Sequence, residues 1–193
     1  MKKHLFIPAL VSVMTLCGAH QVAAQKNSGE GAKPAFDKGD KTLGISAGFG
    51  VSYGLTTASA IPAIAVNYDQ GIVGNVGPGT IGVGGIVGYK ASRYKYWNDA
   101  KYTYSNIVIG VRGTYHLTIL KDKNNKFDPY AGVTMGLRIW RWNDDFYNTS
   151  SNSVSPIVGG FVGAKYNFAS SVGAFAELGY DVSFARIGLC VNF

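Results

Sequence analysis

The stretch Lys41-Thr-Leu-Gly-Ile-Ser-Ala-Gly-Phe-Gly-Val-Ser-Tyr53 places an apolar side chain at every second position and glycine or serine between them. This period of two is typical of a β-strand with one apolar face, because successive side chains of a strand point to opposite sides. The other face carries small residues and almost no charge. The stretch therefore predicts a strand that is apolar on one side and small on the other.

The same alternation recurs along nearly all of the chain, and a helical period is almost absent. It predicts an all-β protein with eight antiparallel strands. The predicted strands are 42–53, 60–69, 80–94, 102–119, 128–142, 154–168, 172–181 and 184–193.

The composition excludes several classes of protein. Of 193 residues, 47% are hydrophobic and 15% charged, compared with about 25% charged in ordinary soluble domains. A disordered chain is excluded because it needs low hydrophobicity. The 26 glycines show no three-residue period, which excludes collagen. No run of 18 apolar residues occurs, so a membrane-spanning helix is also excluded.

A period of two suits both a soluble β-sandwich and a membrane barrel, and three features favour the barrel. The polar face is mostly glycine, serine, threonine and asparagine, which fits a narrow lumen. The connections alternate between short turns such as 169–171 and a long polar loop at 142–153. Aromatic residues gather near the predicted strand ends, as in membrane-interface girdles. One such group is Tyr94, Tyr96, Trp97, Tyr102, Tyr104, Trp140, Trp142, Phe146 and Tyr147; the other is Tyr68, Tyr115, Phe127, Tyr130, Tyr166, Phe168 and Phe193. The long connection at 70–80 does not fit this scheme.

The first 24 residues have the layout of a secretory signal peptide. Lys2 and Lys3 precede an apolar stretch from Leu5 to Cys17, and Val22-Ala23-Ala24 supplies small residues before Gln25. A lipoprotein site at Cys17 is the alternative, but Leu16 is too large for it. We therefore predict three regions: a signal peptide at 1–24, a flexible periplasmic leader at 25–40 and a barrel at 41–193.

Cleavage after Ala24 would leave one cysteine, Cys190, and one histidine, His116. An intramolecular disulfide then has no second partner. A metal site is excluded in the same way, since histidine and cysteine sites use three or four ligands. We expect no cofactor. The net charge of +7 does not predict nucleic-acid binding, because the lysines are scattered instead of forming a stripe.

The chain ends Ile187-Gly188-Leu189-Cys190-Val191-Asn192-Phe193, with a terminal phenylalanine and apolar residues at every second position. This ending resembles the C-terminal assembly signal of bacterial outer-membrane barrels, on Ile187, Gly188, Leu189, Val191 and Phe193. Together with Phe127-Asp128-Pro129-Tyr130-Ala131-Gly132 and the strand at 84–88, it resembles the small OmpA/OmpX-like "porin family" barrels of Gram-negative bacteria. The resemblance covers 41–193. It implies an eight-stranded up-and-down transmembrane β-barrel in the cell outer membrane.

Eight charged residues fall on the predicted lumen face. A charge in a narrow lumen must be paired or hydrated, so we expect a network of salt bridges, including a pair between Glu177 and Arg186. A gate or a pathway for anions is the alternative. The eight are Asp69, Lys90, Arg112, Arg138, Lys165, Glu177, Asp181 and Arg186.

His116 is the one candidate general base, with Thr118 two residues later and Glu177 in the same lumen. Some outer-membrane barrels hydrolyse lipid A with a histidine, serine and glutamate, but here threonine stands at the serine position. His116 also falls at the periplasmic end, away from the outer leaflet. We therefore predict no catalytic residues and no enzyme.

The sequence favours a non-catalytic outer-membrane protein with a structural or surface-interaction role. A narrow solute or ion channel is the alternative, and a lipid-modifying enzyme is the third hypothesis. The expected partners are outer-membrane lipid, lipopolysaccharide and the barrel-assembly machinery, and a monomer is expected. The sequence names no ligand, although binding residues would lie in the loops at 56–59, 97–101, 144–153 and 182–183.

Overall fold

The computed structural model describes residues 35–50, 62–95, 101–118, 126–144 and 149–193. The predicted signal peptide and residues 25–34 of the predicted leader lie outside these ranges. The described part contains no helix long and apolar enough to cross a membrane.

Eight antiparallel strands form a closed ring in chain order, which confirms the predicted fold class. The strands are β1 (Lys41–Phe49), β2 (Ala63–Val76), β3 (Gly79–Lys95), β4 (Lys101–Leu117), β5 (Phe127–Asp144), β6 (Thr149–Asn167), β7 (Val172–Gly179) and β8 (Ala185–Asn192). The ring closes where β1 pairs with β8, from Thr42 against Asn192 to Phe49 against Ala185. Every strand therefore has two neighbours, and the sheet is closed around the ring.

The predicted alternation decides which side chains enter the barrel. On β4, Val108, Arg112, Thr114 and His116 are buried, while Val111 between them is 64% exposed. The apolar face of the alternation thus lies outside, and the small and charged face lines the lumen.

Two predicted connections are strands in the structure. The segment 70–80, which is too long for a short turn, is the end of the β2–β3 hairpin. Its register shifts between Gly71 and Val73 and again between Val73 and Val76. Asn75 and Gly77 take positive backbone φ values of 57° and 58°, which allows the turn into β3. The predicted long loop at 142–153 is also mostly sheet, because β5 runs to Asp144 and β6 starts at Thr149. Alternation was harder to see there because serine and asparagine occupy both faces.

One end of the barrel holds the described turns between β2 and β3 and between β6 and β7, together with the first residue of β1 and the last residue of β8. We call this the short-turn end, and the other the far end. At the far end, Val182 and Ser183 between β7 and β8 are 2% exposed. The sequence placed them in an outward loop, but they fold into the lumen, where Val182 packs with Ile86, Val108 and Ile157.

The end of the predicted leader is also ordered. Ala35–Asp40 lies across the short-turn end, and Phe36 is 1% exposed. This differs from the expectation of a flexible segment up to residue 40. Burial of the Phe36 ring is favourable because it removes apolar surface from water, and the end of the lumen accommodates the ring.

Glycines on the lumen face let neighbouring strands approach closely, so we expect Gly84→Val to impair folding. A Cβ atom at Gly84 would overlap the carbonyl oxygen of Tyr68 and stand 2.9 Å from Asp69 Cα. Overpacking of this kind costs about 1–3 kcal/mol. Gly113→Val is the control, because its Cβ would meet only Val133 Cγ2 at 3.8 Å. Heat-modifiable gel mobility and the urea midpoint of both variants measure the difference; equal midpoints would contradict the packing argument.

Candidate functional site

The lumen is filled by two groups of charged side chains, one midway along the barrel and one at the short-turn end. Seven of the eight predicted lumen charges are buried, with Arg138 partly exposed on the same face. In the narrow interior of an eight-stranded barrel such charges need partners. The two groups contain almost all of those partners.

Glu177 on β7 is the centre of the middle group. Arg112 Nη2 donates to its Oε1 at 2.7 Å, and Arg186 Nη2 donates to its Oε2. Arg186 also reaches Asp181 Oδ2 at 3.1 Å, so two arginines face two carboxylates. Each of these four side chains is at most 2% exposed. The structure thus brings together the Glu177–Arg186 pair that the sequence suggested.

Aromatic and hydroxyl groups complete the middle group. The Arg112 guanidinium lies 4.0 Å from the ring centre of Phe161, a cation–π contact. Tyr130 donates to Glu177 Oε1 at 2.7 Å. Thr134 donates to Asp181 Oδ2 at 3.3 Å. Each carboxylate therefore has hydrogen bonds beyond its arginine partner, as a buried ion pair requires.

His116 on β4 is the centre of the group at the short-turn end. Its Nδ1 lies 2.9 Å and 3.0 Å from the two carboxylate oxygens of Asp128. Its Nε2 lies 3.2 Å from Thr114 Oγ1 and 3.5 Å from Asp69 Oδ2. Thr114 in turn donates to Asp69 Oδ1 at 3.0 Å. The imidazole thus lies between two carboxylates, one on β2 and one on β5.

Lys165 on β6 joins the same group from the other side. Its Nζ lies 3.3 Å from Asp128 Oδ2, and it donates to Thr42 Oγ1 and Asn192 Oδ1, also at 3.3 Å. Asp128 therefore bridges a histidine and a lysine. Because β1, β2, β4, β5, β6 and β8 all contribute, the group connects most strands of the ring.

Tyr130 connects the two groups. Its ring stacks on His116 with centroids 5.1 Å apart, while its hydroxyl belongs to the middle group. Between the groups lies a cavity of about 20 Å³ lined in part by Asn67, Arg112 and Tyr130. That volume holds about one water molecule.

Sequence reasoning missed several lumen residues. Asp128 shares the two-residue phase of Tyr130 and Thr134, so its period could have placed it inside the barrel. Tyr130 was predicted to lie in an interface girdle, but it is 8% exposed and faces the lumen. Trp140 and Trp142 share its phase and are partly buried on the inner face. Their aromatic character alone does not distinguish a girdle from a lumen.

The three residues considered for catalysis are not assembled. Thr118 lies at the rim and donates to the carbonyl of Pro78 at 2.7 Å. Glu177 is engaged by two arginines. Thr114 is the hydroxyl nearest to His116, but its proton is directed to Asp69. A general base must reach the proton that it removes, and this geometry gives His116 no such proton.

Lys90 lies nearer the far end, where its Nζ donates to the carbonyl oxygen of Gly50. Cys190 is a buried free thiol on the lumen face of β8. Among the described residues, no group of three or more histidine, cysteine, aspartate or glutamate side chains is placed to hold a metal ion.

Comparison with solved structures places this geometry among known folds. The attachment invasion locus protein Ail of Yersinia pestis, solved with the heparin analogue sucrose octasulfate, is 11% identical. It covers 81% of this chain and 99% of its own, with a TM-score of 0.50. The N-terminal β-barrel domain of Pseudomonas aeruginosa OprF is 13% identical, with the same two coverages and a TM-score of 0.50.

The chain has the fold of a small outer-membrane β-barrel. The predicted structural resemblance to OmpA/OmpX-like barrels is thereby confirmed. No protein-family model and no curated protein sequence matches the chain. At these identities the likeness concerns the arrangement of strands, and the charged lumen must be interpreted from its own residues.

The middle group predicts a large penalty for removing its central carboxylate. Glu177→Ala leaves the Arg112 guanidinium buried without its carboxylate, so stability should fall by about 3–5 kcal/mol. The double variant Arg112→Met with Glu177→Leu removes both charges and should recover most of the loss. Urea unfolding of the barrel in lipid vesicles measures both. A double variant no more stable than Glu177→Ala would contradict the ion-pair explanation.

Proposed function

We propose that this chain is an integral outer-membrane protein whose closed barrel has a structural or surface-interaction role and no catalytic activity. The observation that carries the proposal is the apolar outer face of the barrel. Large hydrophobic side chains are exposed all around the ring, among them Val87 (53%), Val111 (64%), Val158 (67%) and Leu189 (58%). Such a continuous surface exceeds what a soluble monomer exposes to water.

Outward aromatic residues form two rings that support this location. At the short-turn end are Phe127, Tyr166, Phe168 and Phe193; at the far end are Phe49, Tyr89, Tyr180 and Phe184. Along β8, Phe184 and Phe193 are separated by about 30 Å of extended chain. A strand tilt of about 40° reduces this to about 23 Å along the barrel axis. Outer-membrane barrels have an apolar band about 25 Å tall between aromatic girdles.

The last strand supports assembly in the outer membrane. Ile187, Leu189, Val191 and Phe193 all point outward and are 48–63% exposed. Gly188 between them faces inward, where a Cβ atom would stand 2.7 Å from the ring of Phe175. The apolar side chains are thus accessible to the assembly machinery from outside the barrel. The same strand pairs with β1 and closes the ring. The expected signal peptide, lipopolysaccharide contact and monomeric state belong to this proposal.

The packed lumen favours a structural role over the channel alternative. The middle and short-turn groups occupy the described interior, with Val182 buried at the far end and Phe36 buried at the short-turn end. The cavity of about 20 Å³ that both groups line has room for about one water molecule. The catalytic alternative has no support from His116, because the Thr114 hydroxyl beside its Nε2 donates to Asp69 and Glu177 is held by two arginines.

A surface role remains the second part of the proposal. Ail is an attachment protein and was solved with a heparin analogue. In this chain the hairpins β3–β4 and β5–β6 extend past the shorter strands at the far end. Hairpins of this length offer a surface for a partner outside the membrane.

A charge on the outer face tests the membrane location. Val111→Arg should destabilise the barrel in lipid vesicles by about 2–4 kcal/mol if that face contacts hydrocarbon. Val172→Arg is the control, because it starts β7 at the short-turn end and a charge near the interface costs about 0–1 kcal/mol. Urea midpoints in vesicles give both values. Equal midpoints, with a folded monomer in buffer without any amphiphile, would overturn the proposal.

Planar-bilayer recording tests the channel alternative. The purified barrel should insert without producing discrete conductance steps, because its described lumen is packed with paired charges. A wide porin in the same bilayer serves as the control for insertion and detection. Reproducible steps from the barrel would replace the structural role by the channel.

A further inference from the structure

The segment Ala35–Asp40, which we call the N-terminal strap, enters the barrel without belonging to its sheet. Phe36 is 1% exposed, whereas Lys38 and Gly39 are exposed to solvent. The strap therefore resembles a surface turn that places one ring inside the lumen. It lies at the end opposite to Val182.

The Phe36 ring is seated on the charged group at the short-turn end. It stacks on His116 with centroids 3.8 Å apart and an angle of 20°, and the Lys165 Nζ lies 5.0 Å from its centre. His116 stacks on Tyr130 as well, so three rings follow one another into the lumen. Phe36 is the outermost of the three and covers the polar side chains beneath it.

Backbone contacts with β2 hold the strap. Gly39 N–H donates to the carbonyl of Gly71 at 2.9 Å, and Gly71 N–H donates to the carbonyl of Asp40 at 3.0 Å. The absence of a side chain at Gly71 is required here, because a Cβ atom would overlap the carbonyl oxygen of Asp37. Gly74 gives similar room, with Asp37 Oδ1 3.0 Å from the position of its Cβ.

The charged group does not depend on the strap for its pairing. His116 keeps Asp128, Asp69 and Thr114 as partners. Lys165 keeps Asp128, Thr42 and Asn192. Withdrawal of Phe36 would therefore leave no buried charge unpaired in this group. The loss is confined to one apolar ring and a few backbone hydrogen bonds, as in segments that open locally.

We propose that the N-terminal strap is a reversible plug, with Phe36 as the stopper that controls access of water and small polar solutes to the short-turn end of the lumen. In the closed state Phe36 is stacked on His116 and the strap is bonded to β2. In the open state the strap leaves β2, and the side chains around His116 and Lys165 face the solvent at that end.

Cys190 is a native reporter for the opening. Cys190 lies on the lumen face of β8 and is 2% exposed. It is two residues before Asn192, which is on the same face and contacts Lys165. Replacement of Cys17 by serine leaves Cys190 as the thiol that reacts. A small charged methanethiosulfonate reagent then measures access to the lumen in the purified, detergent-folded barrel.

Phe36→Ala should raise the rate of Cys190 modification by at least about tenfold, since protection follows the free energy of local opening. Phe168→Ala is the matched control, because this phenylalanine lies at the same end but is 50% exposed on the outside. It should leave the rate unchanged. Equal rates for the parent barrel and Phe36→Ala would overturn the plug.

Gly71→Ala tests the same idea with Phe36 intact. Its methyl group should displace the strap through Asp37 and accelerate modification, whereas Gly113→Ala meets no atom closer than 3.8 Å and should not. Heat-modifiable mobility establishes that each variant is folded. If Phe36→Ala does not fold, Gly71→Ala decides the result. Failure of both to fold would make the strap a fixed part of the core and would also overturn the proposal.

Discussion

The pairing of β1 with β8 is the constraint on which the rest of this structure depends. Eight residue pairs join the first strand to the last, and they turn an open sheet into a ring whose central backbone groups are bonded to neighbouring strands. Closure with eight strands also fixes the width of the interior, which is large enough for side chains and little else. Alternation then assigns each residue to the lumen face or to the outer face of the barrel. A register shift of one residue would exchange the two faces.

The narrow interior explains the chemistry of the lumen. A charge directed into the lumen is removed from bulk water, so it needs an opposite charge or hydrogen-bonding groups on other strands. Glu177 between Arg112 and Arg186, and Asp128 between His116 and Lys165, are two versions of the same solution. Glu177 joins β7 to β4 and β8, whereas Asp128 joins β5 to its two neighbours β4 and β6. The buried ion pairs of the lumen therefore connect the strands of the ring through their side chains.

The sequence was sufficient to predict the strands and the face of each strand that lines the lumen. A period of two that is repeated over eight segments is compatible with few folds besides a β-sheet. It was sufficient for the lumen charges for the same reason, since Glu177 and Arg186 follow the phase of their strands. It was insufficient where local pattern competes with tertiary packing. Val182 and Phe36 are single apolar residues in polar surroundings, and only the shape of the closed ring shows that each has a cavity to fill. Hairpin ends at 70–80 and 142–153 were also missed, because bulges and polar residues on both faces interrupt the alternation.

The strands differ greatly in length around the ring. β1, β7 and β8 have 9, 8 and 8 residues, whereas β3 to β6 have 17 to 19. β3 continues about six residues beyond Tyr89, which is its last residue paired with β2, and this is about 20 Å of extended chain. Among the described residues, the far end is therefore taller along β3 to β6 than along β1, β7 and β8. This difference in height makes the described barrel asymmetric about its axis, so it defines a direction within the plane of the ring as well as one along the axis.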